Sequence, residues 1–600
     1  MEEGGIEIHS SSKNDVANGN AEAASSAAIH ATEEKGGWRA IIFILGNETF
    51  EKLASMSLIA NITLYLRTQY NLEGIFLVNV VNIWSGSTNI ATLLGAFISD
   101  SFLGRFHTLL YGSIFSLLGM GTMTMTAGIP GLRPPSCGQN PDDCPNPHPW
   151  QLAVLFFGLG LLVVGGGALR PCNISFGADQ LDTKTAKGRS QLESFFNWWY
   201  FSFTVALVIV LTAVVYVQTN VSWLIGFSIP TLCFVASISI FIYGRNAYIR
   251  KKPRGSAFVD LAKVLRAAWL KRGQSSERAS FYDPPLKEED DCMTEKLART
   301  DHFKCLDKAA QIVKEDELDS RGLVKDSWVL CSVQQVERLK CLLSLVPVWV
   351  SGIGCFLAMD QQNTFGILQL IQMNKSVGKH FEIPPGWMAL TSMLTLSAWI
   401  LIYEQVYIPQ AKKFSKRKSG RLTIKRRIEI GIMMSILCMI VAGSIETKRR
   451  KSALQNGSYE SPLHVILLLP QFMLSGMIEA FALVAILEFL TTTLPESMRT
   501  VGGAVFFLSL SIGSYLGSLL VNIIHLMTNK DGSSWLGGRD LNQNRLDYFY
   551  FVVAGLCTLN LIYFDLWACR FIRKTDSGNE AEQGKISDPA TVNSDGAIST

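Results

Sequence analysis

The chain has 600 residues, of which 48% are hydrophobic and only 17% are charged. A soluble protein usually carries about 25% charged residues. The formal net charge is only +4, with no basic nucleic-acid-binding face and no zinc-finger spacing. These features exclude an ordinary soluble protein and a nucleic-acid partner, and they indicate a lipid bilayer as the surroundings.

Apolar runs near the roughly 20 residues needed to cross a bilayer recur along the chain. They predict an all-α integral membrane protein with twelve transmembrane helices in two six-helix bundles, an arrangement that resembles the major facilitator fold. The expected spans are 39–66, 75–99, 107–130, 150–178, 195–218, 222–244, 335–372, 385–408, 428–446, 463–492, 499–527 and 546–571.

The pattern divides the chain into five parts. We expect a disordered cytosolic N-terminal tail, an N-terminal six-helix bundle, a cytosolic linker, a C-terminal six-helix bundle and a disordered cytosolic tail. Their ranges are 1–37, 38–244, 245–333, 334–574 and 575–600. The linker carries an apolar stripe at helical spacing, formed by Phe258, Leu261, Leu265 and Trp269. This stripe predicts an amphipathic helix, either on the inner membrane surface or packed against the bundles.

The first apolar run contains two carboxylates and an ammonium group, at Glu48, Glu51 and Lys52. A charge at the bilayer centre costs about 2.5–3.5 kcal/mol on insertion scales, so these groups should face protein or water. Glu48 and Lys52 are four residues apart and can pair on one helix face. Because such a cluster can take up and release a proton, it indicates proton-coupled transport.

The Lys and Arg residues of the loops set the expected orientation. The loop at 412–427 and the C-terminal flank are strongly basic, which predicts that both termini are cytosolic. The basic run 448–451 falls on the opposite side and is an exception. On that side, Cys137 and Cys144 lie in a Pro-rich polar loop and form a candidate disulfide in an oxidising compartment.

Other ionisable residues lie within predicted spans, at Arg170, Asp360, Glu479 and Glu488. A functional role is the default for such residues, and a structural ion pair is the alternative. Asp360 begins a polar patch within the seventh helix, where water, substrate or a partner helix must satisfy it, unless it marks a solvated helix end. Glu488, near a helix end, is expected to be solvated or structural.

Short motifs along almost the whole chain carry a family resemblance. They are Glu48-x-x-Glu51-Lys52, Asp100-Ser-Phe-Leu-Gly104-Arg105, Arg170-Pro-Cys-Asn173, Phe195-Phe-Asn-Trp-Trp-Tyr200, Glu479-Ala-Phe481 and Pro495-Glu-Ser-Met-Arg499. The chain resembles the plant nitrate/peptide transporter family, a branch of the proton-dependent oligopeptide transporters. The block Phe50–Leu58 is most similar to the second subfamily, which is associated with nitrate, glucosinolates and other glycosylated metabolites.

The resemblance implies roles for particular residues. Glu48, Glu51 and Lys52 would form the proton-coupling site. Arg170 and Glu479 would face each other across a central cavity. The expected substrate-binding residues are Arg170, Glu479, Asp360, Gln362 and Trp84, and the last offers a flat face for a sugar or phenolic ring.

Asp100 and Arg105 would lock the inward gate. Thr108 completes an R-x-x-T pattern and is a candidate phosphosite for a regulatory kinase, although a threonine near a helix start is the simpler interpretation. The sequence contains no nucleophile–base pair, metal cluster or phosphate loop. We therefore expect no enzyme, no metal and no cofactor, with the proton gradient as the driving force, in a monomer or weak dimer.

The leading hypothesis is a proton-coupled symporter that imports a glycosylated plant metabolite, such as a flavonol or iridoid glycoside, by alternating access. An ionised Asp360 would repel nitrate, which places a low-affinity nitrate transporter second. A membrane nutrient sensor is the third hypothesis. The expected location is the plasma membrane, with the vacuolar membrane as the alternative.

Overall fold

The structure is a computed structural model. It describes residues 36–135, 145–181, 186–251, 257–273, 280–284, 297, 299–313, 317–319, 322–378, 381–414, 421–494, 498–529, 534–538 and 540–572. The first six long helices are α1 (Gly37–Gln69), α2 (Gly74–Ile98), α3 (Gly104–Gly128), α4 (Pro149–Ala178), α5 (Ala186–Ile209) and α6 (Trp223–Tyr243). The second six are α7 (Val333–Gln361), α8 (Trp387–Ile402), α9 (Ile424–Asn456), α10 (Leu469–Ile478), α11 (Arg499–Thr528) and α12 (Leu546–Tyr563).

Several of these helices continue through π-helical turns. The turns follow α2, α5, α7, α8, α10 and α12, at Ser99–Leu103, Val210–Val214 with Val217–Val221, Gln362–Gly366, Tyr403–Tyr407, Glu479–Leu483 and Phe564–Ala568. Short helical pieces extend α7, α8 and α10, at Ile367–Ile371, Ile408–Phe414 and Val484–Thr492. Four short strands, β1 (Met373–Asn374), β2 (Ser376–Val377), β3 (Phe381–Glu382) and β4 (Ser461–His464), form two small sheets, with β1 parallel to β4 and β2 antiparallel to β3.

Within the described residues, ten continuous helical segments are long and apolar enough to cross a membrane. One of them, Gly74–Gly128, would be about 82 Å long if straight, far more than the roughly 30 Å hydrocarbon core. It turns at Gly104, whose φ of +74° suits glycine, and so supplies both α2 and α3. With the charge-bearing α1, the crossings number twelve, as predicted.

An even number of crossings returns the chain to the side on which it starts. We call the side that holds the start of α1 and the end of α12 the tail side, and the opposite side the far side. Large apolar side chains such as Ile83, Leu118 and Leu232 remain exposed on the helices, as expected of surfaces that face lipid.

Glycines allow close packing inside the first bundle. A Cβ at Gly95 of α2 would lie 2.2 Å from the carbonyl oxygen of Gly167 in α4. A Cβ at Gly119 of α3 would lie 2.9 Å from the carbonyl oxygen of Gly158, again in α4. Such contacts gain dispersion energy in a bilayer, where the hydrophobic effect does not drive helix association. They fix α2 and α3 against α4, which carries Arg170.

The linker helix (Ala257–Leu270) packs on protein through a face that includes only the first half of the predicted stripe, Phe258 and Leu261. Val264 and Ala267 are fully buried in a small core that includes Leu306 and the start of α7. Leu265 and Trp269 are 52% and 62% exposed. The helix is therefore present as predicted, but the contacts favour packing against the bundle over the membrane-surface alternative for the buried face.

A buried ion cluster fastens the linker to α7. The Lys340 ammonium lies 2.6 Å from a carboxylate oxygen of Asp307 and 2.8 Å from one of Glu337. It also donates a hydrogen bond of 2.8 Å to the carbonyl of Thr300. This part of the linker, around Thr300 and Asp307, is thus fastened to the second bundle.

The ninth helix ends ten residues beyond the predicted 428–446, and this explains the exceptional basic run on the far side. Arg449 and Glu446 are fully buried, with a guanidinium–carboxylate distance of 2.7 Å. Arg449 also donates to the side-chain oxygen of Asn542, at 2.8 Å. Arg450 donates to the main-chain carbonyl of Asn542, at 2.9 Å. Two of the four basic residues are therefore used inside the protein.

We predict that Arg449→Met destabilises the protein by about 3–5 kcal/mol, because it leaves the Glu446 carboxylate buried without its partner. The double variant Glu446→Leu with Arg449→Met should recover most of that loss. Lys451→Met, an exposed position on the same helix, is the control and should be neutral. Thermal unfolding of the purified protein in detergent measures all three. A neutral Arg449→Met would contradict the structural role.

Candidate functional site

The carboxylates of α1 surround one ammonium group. Lys52 Nζ lies 3.4 Å from Glu48 Oε1 and 2.9 Å from Glu51 Oε2. All three residues are buried. The spacing of the helix produces this arrangement, since Glu48 lies one turn before Lys52 and Glu51 lies beside it. The predicted pairing of Glu48 with Lys52 is present, and Glu51 shares the same cation.

Arg170 brings a second positive charge close to this group. Its guanidinium interacts electrostatically with Glu51 and with Lys52. It also donates a hydrogen bond of 2.9 Å to the side-chain oxygen of Asn89 in α2. Asn89 was not singled out from the sequence, because a lone asparagine in an apolar helix gives no signal of its partner.

Two negative and two positive side chains therefore meet between α1 and α4. With both carboxylates ionised the group is neutral, and one added proton leaves a net charge of +1. An unpaired charge in the low-polarity interior of the protein has a high free energy. Each protonation step must therefore change the ion pairs, and this is the chemistry that the cluster offers.

A cavity of about 190 Å³ lies between the bundles in their tail-side half. Thr92 of α2 and Arg170 of α4 line it from the first bundle, and Phe507 of α11 lines it from the second. Asp100 and Arg105 lie along its wall. The cavity thus extends from the charged group toward the tail side.

Hydrogen bonds between the bundles lie in the opposite half. Thr63 of α1 donates to the carbonyl of Asn363, at 3.2 Å. Arg67, at the far-side end of α1, donates to the hydroxyl of Tyr459, at 3.2 Å. A cavity on the tail side and contacts on the far side describe a conformation that is open toward the tail side.

The structure does not pair Arg170 with Glu479 as the sequence predicted. Glu479 is partly buried at the start of a π-helical turn, and no ion pair joins it to Arg170 in the described structure. The carboxylate is on the second bundle and the guanidinium on the first. In a conformation open to the tail side, the bundles are held apart where these groups would meet.

Asp360, Gln362 and Trp84 lie in a polar region where α2 approaches the π-helical turn after α7. Asp360 is buried, with the Ser514 hydroxyl close to its carboxylate. Both polar atoms of the Gln362 amide and the indole nitrogen of Trp84 are buried without a protein hydrogen-bond partner. Buried polar groups normally have partners, so these atoms are candidates for ligand contacts. Asp360 is therefore not a solvated helix end.

The predicted gate pair belongs to a larger ion cluster. Arg105 Nε lies 3.9 Å from Asp100, whereas Arg105 Nη1 lies 2.5 Å from Asp179. Lys251 approaches Asp179 at 2.9 Å. Asp100, Arg105 and Asp179 belong to the first bundle, and Lys251 lies at the start of the linker on the tail side. Asp179, which the sequence did not single out, holds the centre of the cluster.

Three other sequence predictions concern the surroundings of the site. Thr108 is 4% exposed, and its hydroxyl donates to the carbonyl of Gly104 at 3.0 Å, which favours the helix-start interpretation over the phosphosite. Glu488 pairs with Arg427, a structural contact as expected. Cys137 and Cys144 lie outside the described residues.

Comparisons with known proteins decide the family. A family model, PTR2 of the POT family, matches residues 106–536. The chain belongs to the POT family of membrane transporters. NRT1/PTR FAMILY 2.8 of Arabidopsis thaliana is 55% identical over 551 residues, which cover 91% of this chain and 97% of that protein. NRT1/PTR FAMILY 2.13 of the same plant is 43% identical over 546 residues, covering 90% and 87%.

A solved structure of the POT family transporter PepTSo matches with a TM-score of 0.65 at 19% identity, covering 89% of this chain and 99% of that one. The structural likeness supports the twelve-helix major facilitator fold. The relatives confirm the second subfamily of the nitrate/peptide transporters, and they identify the chain as a multi-pass membrane transporter and not an enzyme.

We predict that Asp179→Asn destabilises the transporter by about 1–2 kcal/mol, since two partly exposed ion pairs lose their shared carboxylate. Asp301→Asn is the matched control, because the Asp301 carboxylate is 93% exposed and its pair with Lys304 is long, at 3.9 Å. Thermal unfolding of the detergent-purified variants tests this prediction. Equal unfolding midpoints for the two variants would contradict the central position given to Asp179.

Proposed function

We propose that this POT family member is a proton-coupled symporter that imports a neutral glycosylated metabolite by alternating access. The observation that carries the coupling is the buried group in which Lys52 serves both Glu48 and Glu51. The observation that bears on the substrate is the set of buried neutral polar atoms without protein partners at Trp84 and Gln362.

Coupling follows from the charge balance. A proton on either carboxylate removes one of the two negative charges that hold Lys52. The ammonium and the Arg170 guanidinium then have one acceptor fewer, so they favour a different packing of α1 against α4. Release of the proton restores the pairs. A differential energy of a few kcal/mol is enough to shift such a two-state equilibrium.

The chemistry of the unpartnered polar groups at Trp84 and Gln362 favours a sugar over a small anion. An amide offers both a donor and an acceptor, and an indole offers a donor beside a flat apolar face. These groups match the hydroxyls and the ring faces of a glycoside. The carboxylates of Asp360 and Glu479, when ionised, would repel nitrate in the same region.

Nitrate remains the second candidate because one observation favours it. The Arg170 guanidinium lines the cavity, and within the described part of the chain its one hydrogen-bond acceptor is the Asn89 side chain. A guanidinium can hold a planar oxyanion through two parallel hydrogen bonds. Uptake assays with both substrate classes separate the two candidates.

We place the protein in the plasma membrane with its tail side in the cytosol. Support comes from basic residues at the end of the α8 extension and at the start of α9, which lie on that side, at Lys412, Lys413, Arg421, Lys425, Arg426 and Arg427. The internal use of Arg449 and Arg450 removes the main objection to this orientation. In this orientation the cavity opens to the cytosol.

We predict that Glu51→Gln abolishes uphill uptake at external pH of about 5, because the amide cannot carry the proton. Wild-type uptake and inward current should fall as external pH rises toward 7.5, since fewer carboxylates bind a proton from outside. Glu382→Gln, the same change at an exposed far-side position, is the control and should behave as wild type. Voltage clamp with parallel uptake in oocytes, using a glycoside panel and nitrate, measures both. Uphill uptake that survives Glu51→Gln would refute the coupling role.

We predict that Trp84→Phe raises the KM for the transported glycoside about three- to tenfold, because it removes one neutral hydrogen-bond donor and keeps the aromatic face. The maximal rate should change less than twofold. Trp150→Phe serves as the control, because Trp150 is 51% exposed. Concentration-dependent uptake measures KM and rate. An unchanged KM would remove Trp84 from the substrate site.

A further inference from the structure

The far-side contact between the bundles includes a reciprocal pair of amides on α2 and α11. Asn79 donates to the side-chain oxygen of Asn522 at 3.1 Å, and Asn522 donates back to that of Asn79 at 3.0 Å. The Ser518 hydroxyl donates to the same oxygen of Asn79, at 2.6 Å. This three-residue contact, hereafter the amide latch, joins the first bundle directly to the second.

Small residues bring the same two helices together one to two turns away. The Ser511 hydroxyl donates to the carbonyl of Gly86 at 2.8 Å. A Cβ at Gly86 would lie 3.2 Å from the Ser511 carbonyl oxygen and 3.2 Å from the Tyr515 ring. The Ser87 and Tyr515 hydroxyls are 2.9 Å apart. Any larger side chain at Gly86 would therefore push α2 away from α11.

Between these contacts, the closed interface of α2 with α11, hereafter the seam, buries amide atoms that have no hydrogen-bond partner in the protein. Asn82 and Gln361 are fully buried. Both polar atoms of the Asn82 amide and the amide oxygen of Gln361 have no protein partner. A Cβ at Gly517 of α11 would lie within 3.4 Å of the Asn82 amide nitrogen and 3.2 Å of that of Gln361. If the bundles separated, these amides could form hydrogen bonds with water. Their burial in the closed seam therefore costs free energy and opposes closure.

We propose that the amide latch and the Gly86 contact form the outer gate of the transporter, and that the unsatisfied amides between them keep the gate reversible. The inference rests on the alternating access and the orientation proposed above. The latch holds the far side closed while the cavity is open to the tail side. Proton and substrate entry from outside requires the latch to break. Asn79, Ser518 and Asn522 are positioning residues, because they set the gate and do not bind the substrate.

The test measures how often the gate opens, without any substrate. The reporter is Asn82→Cys in the full chain, with Cys137 and Cys144 replaced by serine. A membrane-impermeant maleimide added outside intact oocytes labels the reporter only when the seam opens. Surface biotinylation normalises for the amount of folded protein at the membrane.

Ser518→Ala should raise the labelling rate about fivefold, as expected for loss of one buried hydrogen bond. Ser444→Ala is the control, because Ser444 is exposed and its hydroxyl bonds only within its own helix. Gly86→Val should also raise the rate, whereas Gly160→Val, with open space around the glycine, should not. Labelling that responds to neither Ser518→Ala nor Gly86→Val would overturn the proposal.

Transport assays separate this inference from the proposed function. A latch variant that labels faster should also lose maximal uptake rate, because the state open to the cytosol is populated less. If labelling responds while no glycoside is transported, the gate stands and the substrate proposal fails. If glycoside uptake is proton-driven but labelling is unchanged in both variants, the symporter stands and the gate proposal fails.

Discussion

A bilayer core cannot solvate an unbalanced charge, and the centre of this protein is organised around that constraint. The formal charges of four buried side chains cancel only when all four are counted, namely those of Glu48, Glu51, Lys52 and Arg170. Each charge therefore depends on the others being close. The helices that carry them, α1 and α4, must therefore stay in contact while the ion pairs change. A proton that enters this group changes which partners are held, and the proposed coupling rests on that property.

The helix contacts within the first bundle differ in chemistry from the contacts between the two bundles. Inside the first bundle, glycines of α2 and α4 allow backbones to touch through apolar surfaces, as Gly95 does against Gly167. Between the bundles, α2 meets α11 through amides and hydroxyls. Separating closely packed apolar backbones loses their dispersion contacts without a compensating interaction. An amide that loses its protein partner can instead form a hydrogen bond with water. The packing within the first bundle is thus rigid, and the polar interface between the bundles is the easier one to separate.

The sequence predicted some details and missed others for identifiable reasons. The pairing of Glu48 with Lys52 was predictable because both lie on one helix at a fixed spacing. The partners of Arg170 and Arg105, namely Asn89 and Asp179, were not, because they lie on other helices at distances set by packing. The basic run near Arg449 looked like an exception to the charge rule, and only its buried contact with Glu446 explains it. The linker helix was predicted correctly, but the second half of the predicted stripe, Leu265 and Trp269, proved to be exposed.

The sequence by itself determined the membrane class, the twelve crossings, the two-bundle organisation and the charged cluster of α1. Each of these depends on local composition or on the period of one helix, which the order of residues contains directly. The tertiary structure decided which side of the cavity is open, that Arg170 and Glu479 are apart, and that Asn79 meets Asn522. These depend on how rigid helices from distant parts of the chain are placed relative to one another, which no local pattern specifies.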